Sequence, residues 1–331
     1  MDMDELVAHS VKHNASDLHL CPGLAPIIRI DGELRRLATL PRINDENMND
    51  CCARILDKRA RATLAATGQA DAAAAFAGGG RVRAHFFRQR SGVSAALRLI
   101  PERIPDWTAI GIPPAVAGLL DGARGLLLAV GAAGSGKSAS LAAMVHYLNH
   151  RRRLHIVTLE DPIEYIHQSA LALIQQREIG RHCLDFHAGL HAALRQDPDV
   201  LVIGELRGAS VIRLALAAAE TGHLVLGTLH ARHAWQAADR IIESFPSDEQ
   251  GVARIALADA LLAILAQRLV PTGQGGRQAL FELMIATPAA RNLIRTGKTH
   301  LLPGLVQSGG EQGMRTFEQD GRRRGSDSPA G

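Results

Sequence analysis

The eight residues Gly131, Ala132, Ala133, Gly134, Ser135, Gly136, Lys137 and Ser138 constrain this chain more than any other stretch. They match G-x-x-x-x-G-K-[ST], follow the apolar run Gly125 to Val130, and precede a helical stretch from Ala139 to Asn149. A strand, a glycine-rich loop and a helix in that order aim backbone N–H groups and the positive end of a helix at one point, which suits a phosphate chain. Lys137 is placed to reach β- and γ-phosphates and the Ser138 hydroxyl to ligate magnesium, so ATP with Mg2+ is the expected ligand. Gly297-Lys298-Thr299 repeats the tail of the motif, but Asn292 stands where the first glycine should be, and it reads as an ordinary helix end.

The surroundings of the loop ask for an α/β domain. The buried-strand runs Gly125 to Val130, His155 to Leu159, Val200 to Ile203 and Leu224 to Thr228 alternate with helical stretches, the pattern of a mostly parallel sheet. Residues 251 to 269 read as one long helix, and 286 to 318 as helices with breaks. Upstream, residues 2 to 13 and 45 to 66 read as helices. Short strands are expected at Asp17 to Leu20 and Ile27 to Ile30, the second closing through Asp31-Gly32, and longer ones at 70 to 77, 81 to 88 and 93 to 100. Gly78-Gly79-Gly80 reads as a hairpin turn between the first two of these longer strands. The prolines at 101, 105, 113 and 114 break both periodicities. The expected domains are therefore 1–105, an α+β unit; 106–115, a linker; 116–318, the loop-bearing domain; and 319–331, a charged Gly/Ser/Pro-rich tail expected to be disordered.

At 331 residues, two cores are the natural expectation, and 47% hydrophobic residues with only 3% aromatics favour helices packed on sheets. The net charge of +4 rests on arginine, since only Lys12, Lys58, Lys137 and Lys298 are lysines; it is too small to demand a nucleic-acid partner, and none is expected. Cys21, Cys51, Cys52 and Cys183 form no C-x-x-C, so neither a disulfide framework nor a tetracysteine zinc site is written here. The polar N-terminus and the lack of any 18-residue apolar run point to a cytoplasmic protein with no integral membrane segment.

Several acids, histidines and arginines attract attention without settling their own roles. Glu160, Asp161 and Glu164 follow a strand and read equally as chemistry or as a solvated loop. Asp199 to Glu205 reads as a buried strand ending in an acid, and a strand-terminal acid is as often idle as functional. His223 and His230 flank another apolar strand and by pattern alone are satisfied core or edge histidines. Arg83 and Arg98, on strands of the first domain, read most simply as solvent-facing charges.

Taken together, SDLHL at 16–20, the phosphate loop, IVTLEDPIEYIH at 156–167, LRQDPDVLVIGELR at 194–207, ETGHLVLGTLHA at 220–231 and TPAARNLIR at 287–295 resemble the type II/IV secretion ATPase superfamily, most closely its twitching-motility branch. The resemblance spans roughly residues 3 to 318. It implies a RecA-like ATPase domain behind a smaller PAS-like α+β domain, assembled as a homohexamer that acts at an inner-membrane platform protein of a pilus or secretion machine. It gives Glu164 the water-activating role, Glu205 the atypical Walker B position near magnesium, and His223 and His230 the histidine box, with His230 as the γ-phosphate sensor. Arg83 and Arg98 become arginines that reach a neighbouring subunit's nucleotide, and Arg195 and Arg207 weaker candidates for the same pocket. Arg232 and His233 depart from the family's small polar residues, and Gly208 stands where the family has an acid.

The expected activity is an ATP-hydrolysing ring motor for pilus retraction or related secretion, peripheral at the inner membrane. The missing tetracysteine site, the signature at 287–295 and a start directly at the SDLHL domain favour retraction over assembly. A RecA-like nucleic-acid translocase is the alternative, but the basic stripe and stacking aromatics it needs are missing. A non-hydrolysing scaffold would leave Glu164 and Glu205 idle. In the signature, Arg291, Asn292 and Arg295 are expected on an exposed face as a coupling element that contributes little to folding.

Overall fold

The computed structural model describes residues 2–76, 80–100, 103–122, 124–272 and 276–325. The chain divides into two compact units, Met1–Arg103 with Pro162–Ile166, and Ile104–Asp161 with His167–Gly331.

The first unit opens with α1 (Met3–Lys12), N-capped by Asp2, whose carboxylate accepts the Asp4 amide at 2.8 Å. Then come β1 (Asp17–Leu20), β2 (Ile27–Ile30), β3 (Glu33–Arg36), α2 (Asp45–Ile55), α3 (Lys58–Thr67), β4 (Gln69–Phe76), β5 (Gly80–Gln89) and β6 (Gly92–Ile100). The helix expected over 45–66 is thus two helices, because Asp57 turns extended and caps α3 by accepting the Ala60 amide at 2.8 Å. The six strands form an antiparallel sheet in the order β3-β2-β1-β6-β5-β4. Asp31 and Gly32 both take positive φ, as a two-residue hairpin requires. The glycine turn expected at 78–80 lies largely outside the described residues. One sheet face buries Leu18, Leu20, Val82, Phe86 and Leu97 against Leu6, Val7, Met48 and Cys51 of the helices.

The second unit holds α4 (Trp107–Ile110), α5 (Pro114–Gly122), β7 (Gly125–Val130), α6 (Lys137–Asn149), β8 (His155–Glu160), β9 (Leu173–Glu178), α7 (Phe186–Ala193) and β10 (Val200–Ile203). It continues with α8 (Ala209–Glu220), β11 (Leu224–Leu229), α9 (Ala234–Glu243), α10 (Gln250–Ala260), β12 (Leu261–Pro271), β13 (Arg277–Ile285), α11 (Pro288–Arg295), α12 (Leu302–Ser308) and α13 (Phe317–Arg323). Its seven-stranded sheet runs β13-β12-β7-β11-β10-β8-β9, every neighbouring pair parallel except β12 with β13. Helices cover both faces, which is why β7 is apolar throughout: Leu126, Leu128 and Val130 enter one core, Leu127 and Ala129 the other.

Three expectations change here. The helix read over 251–269 stops at Ala260, where Leu261 turns to ψ 132°, and the rest is strand β12. Leu, Ala, Gln and Arg favour helix locally, but pairing with β7 on one side and β13 on the other overrides that preference. The expected linker 106–115 is partly helical: Asp106 caps α4, whose Trp107 lies 5.1 Å from the Tyr147 ring of α6. The tail expected to be disordered from 319 is helical to Arg323, because Asp320 is buried between Arg315 at 3.1 Å and Arg324 at 2.9 Å and accepts the Phe281 amide. Residues 326–331 lie outside the described part. No helix among the described residues is long and apolar enough to cross a membrane.

Candidate active site

All the parallel strands of the second sheet point their C-terminal ends to one edge, and the glycine loop leaves β7 there. A side chain at Gly131 would run into the Gln267 carbonyl, and Gly136, at φ 91°, leaves the N-terminus of α6 without a side-chain cap. The first amides of a helix have no intrahelical acceptor, so the loop and α6 present N–H groups to this edge. Lys137 curls back so that its Nζ donates to the carbonyls of Gly131 at 2.9 Å and Ala132 at 2.8 Å. Ser138 and residues Ala132 to Gly134 are exposed, Ala139 is half-buried, and Ser135 is buried with no hydrogen-bond partner for its Oγ.

Next in the sheet, β11 delivers His230, and beyond it β10 delivers Glu205. Their side chains meet, His230 Nε2 lying 3.7 Å from Glu205 Oε1, with the carboxylate about 40% exposed. The Leu206 amide donates to the Thr228 carbonyl at 2.9 Å, and the Thr228 hydroxyl donates to the Gly204 carbonyl at 2.5 Å, fixing the strand end that carries Glu205. Arg240 donates to the His230 carbonyl. An open cleft of about 600 Å³ runs past Gly131, His230, Arg232, Asp239 and Arg240. A second, of about 420 Å³, lies on the other side of the loop against Ser135, Gln267, Arg268, Arg277 and Phe317. Arg232, one of the departures from the family pattern, lines both.

The other expected site residues lie on other elements of the two units. Glu160, at the end of β8, is held by the Thr158 hydroxyl at 2.6 Å and the Gln176 amide at 3.0 Å. Glu164 belongs to the segment grouped with the first unit, where its carbonyl accepts from Arg81 at 2.8 Å. Arg83 and Arg98 are direct cross-strand partners on β5 and β6, and Arg98 donates to Asp17 at 3.3 Å. Arg207 is exposed just beyond Glu205.

His223 and Arg195 are not with the loop. His223 precedes β11, at the opposite edge of the sheet, where its Nδ1 lies 2.9 Å from the Ala218 carbonyl at the end of α8 and its own carbonyl accepts the Gly125 amide. Arg195 sits in the turn that enters β10 from that same edge, beside His191. Ser140 and Gln267, which the expected site leaves out, are also buried against the loop; their signal in the sequence is a lone amide directly after the apolar run 261–266 and a serine one turn into α6.

A phosphate loop at the end of a parallel strand, with a strand-terminal glutamate two strands away, defines a P-loop ATPase. The chain belongs to the type II/IV secretion system protein family, whose model matches residues 81–326. It is 51% identical to the uncharacterized protein YggR of Escherichia coli over 98% of both chains, and 42% identical to the type IV pilus retractation ATPase PilT of Pseudomonas aeruginosa over 96% of this chain and 92% of that one. Its fold matches the crystal structure of the pilus retraction motor PilT with bound ADP at a TM-score of 0.86 and 38% identity, covering 99% of this chain and 98% of that one.

Proposed function

We propose that this chain is the ATP-hydrolysing subunit of a homohexameric motor that powers retraction of a type IV pilus, working at the cytoplasmic face of the inner membrane on a platform protein. The observation that carries the reading is the row formed by the P-loop, His230 and Glu205 at the ends of three adjacent strands, β7, β11 and β10. Likeness over nearly the whole chain to retraction ATPases supports the particular machine, and a nucleic-acid translocase has no matching relative among those described above.

In this reading the loop amides hold the phosphates and Lys137 neutralises the β and γ groups. His230 senses the γ-phosphate, Glu164 orients the attacking water, and Arg83 and Arg98 stabilise transition-state charge from a neighbouring subunit, as a planar and permanently charged group can. Arg207 lies on the active edge as an accessory cation. Residues His223 and Arg195, at the far edge of the sheet, are left out of their own subunit's nucleotide pocket.

The residues present suit Mg2+. Among the described residues no group of three or more His, Cys, Asp or Glu could hold a metal by itself. The exposed Ser138 hydroxyl offers one direct ligand and the half-exposed Glu205 carboxylate an outer, water-bridged one. That sparse set fits an ion that keeps most of its waters and arrives with the phosphates, where it would screen their charge.

The test has two arms. Purified chain should hydrolyse ATP, and Lys137→Ala should abolish turnover; near-normal turnover in that variant would remove the P-loop assignment. Cells lacking the gene should keep surface pili but lose twitching, whereas loss of the pili themselves would move the protein to assembly.

A further inference from the structure

We propose that Gln267 is a positioning residue for the phosphate-binding loop, holding the positive end of its amide dipole beneath the site where the phosphates bind. This rests on the nucleotide site proposed above and names a part of it supplied by another strand.

The register of β12 on β7 pairs Ala266 with Val130, so Gln267 stands next to Gly131, the first residue of the loop. Its backbone carbonyl comes so close that a Cβ at Gly131 would lie 2.4 Å from it. Its side chain, on a residue only 3% exposed, reaches under the loop to the first turn of α6. There the fully buried Ser140 hydroxyl donates to Oε1 at 2.7 Å. In this arrangement the amide oxygen is turned to Ser140 and Nε2 to Gly136, where a Cβ would lie 2.7 Å from it.

Two consequences follow. A side chain with no aqueous freedom wedges the backbone of the loop at Gly136, the point where loop becomes helix, so the N–H groups are held ready before a phosphate arrives. An NH2 group directed at this point also adds a fixed partial positive charge on the side from which an anion must be stabilised, in surroundings where such a dipole is poorly screened. A purely structural hydrogen bond would do neither, and this difference makes the two roles separable.

The experiment measures the affinity for a fluorescent ADP and the melting temperature without nucleotide, for the wild-type chain and three variants. Gln267→Glu is nearly isosteric and keeps an acceptor for Ser140, but replaces the amide's NH2 with a carboxylate oxygen; it should weaken ADP at least tenfold. Gln267→Met loses the bond, strands the Ser140 hydroxyl, and should lower both melting temperature and affinity. Adding Ser140→Ala to Gln267→Met removes both polar partners together, which should return most of the melting temperature. Affinity should stay at least several-fold below wild type in that double variant.

If affinity returns together with stability, Gln267 is a packing residue and the proposal fails. Wild-type affinity in Gln267→Glu also overturns it. Should Gln267→Glu not fold, the double variant alone decides, because it leaves no unpaired group behind. A wild-type chain that binds no ADP brings down the nucleotide site itself, and this proposal with it.

Discussion

Removing the Arg291 guanidinium should destabilise the second unit rather than uncouple it from a partner. Arg291 was expected on the exposed face of the 287–295 signature, but its Nε donates to the Ala286 carbonyl at 2.9 Å and its Nη1 to the carbonyls of Ala258 and Asp259 at 2.5 and 2.6 Å. The last two belong to the final turn of α10, whose carbonyls have no intrahelical donor and carry the negative end of the helix dipole. Burial lowers the Arg291 pKa, the nearby Asp259 carboxylate opposing it, so the charge is held by these contacts at some desolvation cost. Three charge-assisted bonds would each contribute ~1.5–3 kcal/mol if fully buried, but the residue is only half-buried and water can replace part of what is lost; the expected net cost of Arg291→Ala is about 2 kcal/mol. For a unit of this size that lowers the melting temperature by about 5 °C. Asn292, exposed one position along the helix, is the matched control, and Asn292→Ala should shift melting by less than about 1 °C. Scanning calorimetry on both variants checks this. If Arg291→Ala melts like wild type while ATP turnover is intact, the contacts at the end of α10 are idle and the signature is a docking surface after all.

His167 has a pKa depressed from 6.5 to about 4, first by burial and then by the nearby His146. Only the unfolded chain takes up its proton between those values, so its contribution to stability is complete above pH 6.5 and is lost as the pH falls toward 4, about 3 kcal/mol at most. In urea melts across this window the stability of wild type relative to His167→Phe should fall by up to about 3 kcal/mol from the neutral to the acid end; parallel curves would refute the assignment. Asp320→Asn should cost about 3 kcal/mol, because Arg315 and Arg324 would be left in a buried site without their counter-charge. A calorimetric shift within error would show that the last helix is dispensable. In the proposed ring, mixing Arg98→Ala chains with Glu164→Ala chains should restore part of the ATPase rate that each lacks alone, and mixed rings, identified by mass, that stay inactive would exclude arginines acting in trans.

The parts of the fold that were legible are those in which a local signal and the tertiary environment agree. β7, the loop and α6 are contiguous and carry an unambiguous punctuation of glycines. The hairpin at Asp31-Gly32 is equally local, whereas the cap at Asp57 that splits the helix expected over 45–66 went unread. β12 failed because a strand buried on both faces has no alternation to read, and its residues are good helix formers. The C-terminal helix failed for a related reason: composition shows charge but does not show that Asp320 is matched by two arginines and a backbone amide. Arg291 shows the same limit on the surface side, since a helix's polar face can be occupied with a neighbouring helix end as readily as with a partner.

Which of the expected residues share the edge of the P-loop follows from one geometric fact that the sequence does contain. In a parallel sheet every strand enters at one edge and leaves at the other, so chemistry that shares the edge of the P-loop must follow its strand. Glu205 follows β10 and His230 follows β11, and they meet; His223 and Arg195 precede those strands, and lie at the far edge. A six-residue strand separates the two edges by about 20 Å, far beyond the reach of an imidazole. The bare pattern of two histidines flanking an apolar run treats both ends alike, and the direction of the strand distinguishes them. What direction cannot supply is the lateral order of the strands: nothing local says that β12, the sixth strand of its sheet in sequence, inserts beside β7, the first. Gln267 reaches the phosphate loop only because of that insertion, and a lone amide after an apolar run does not by itself say which motif it will meet.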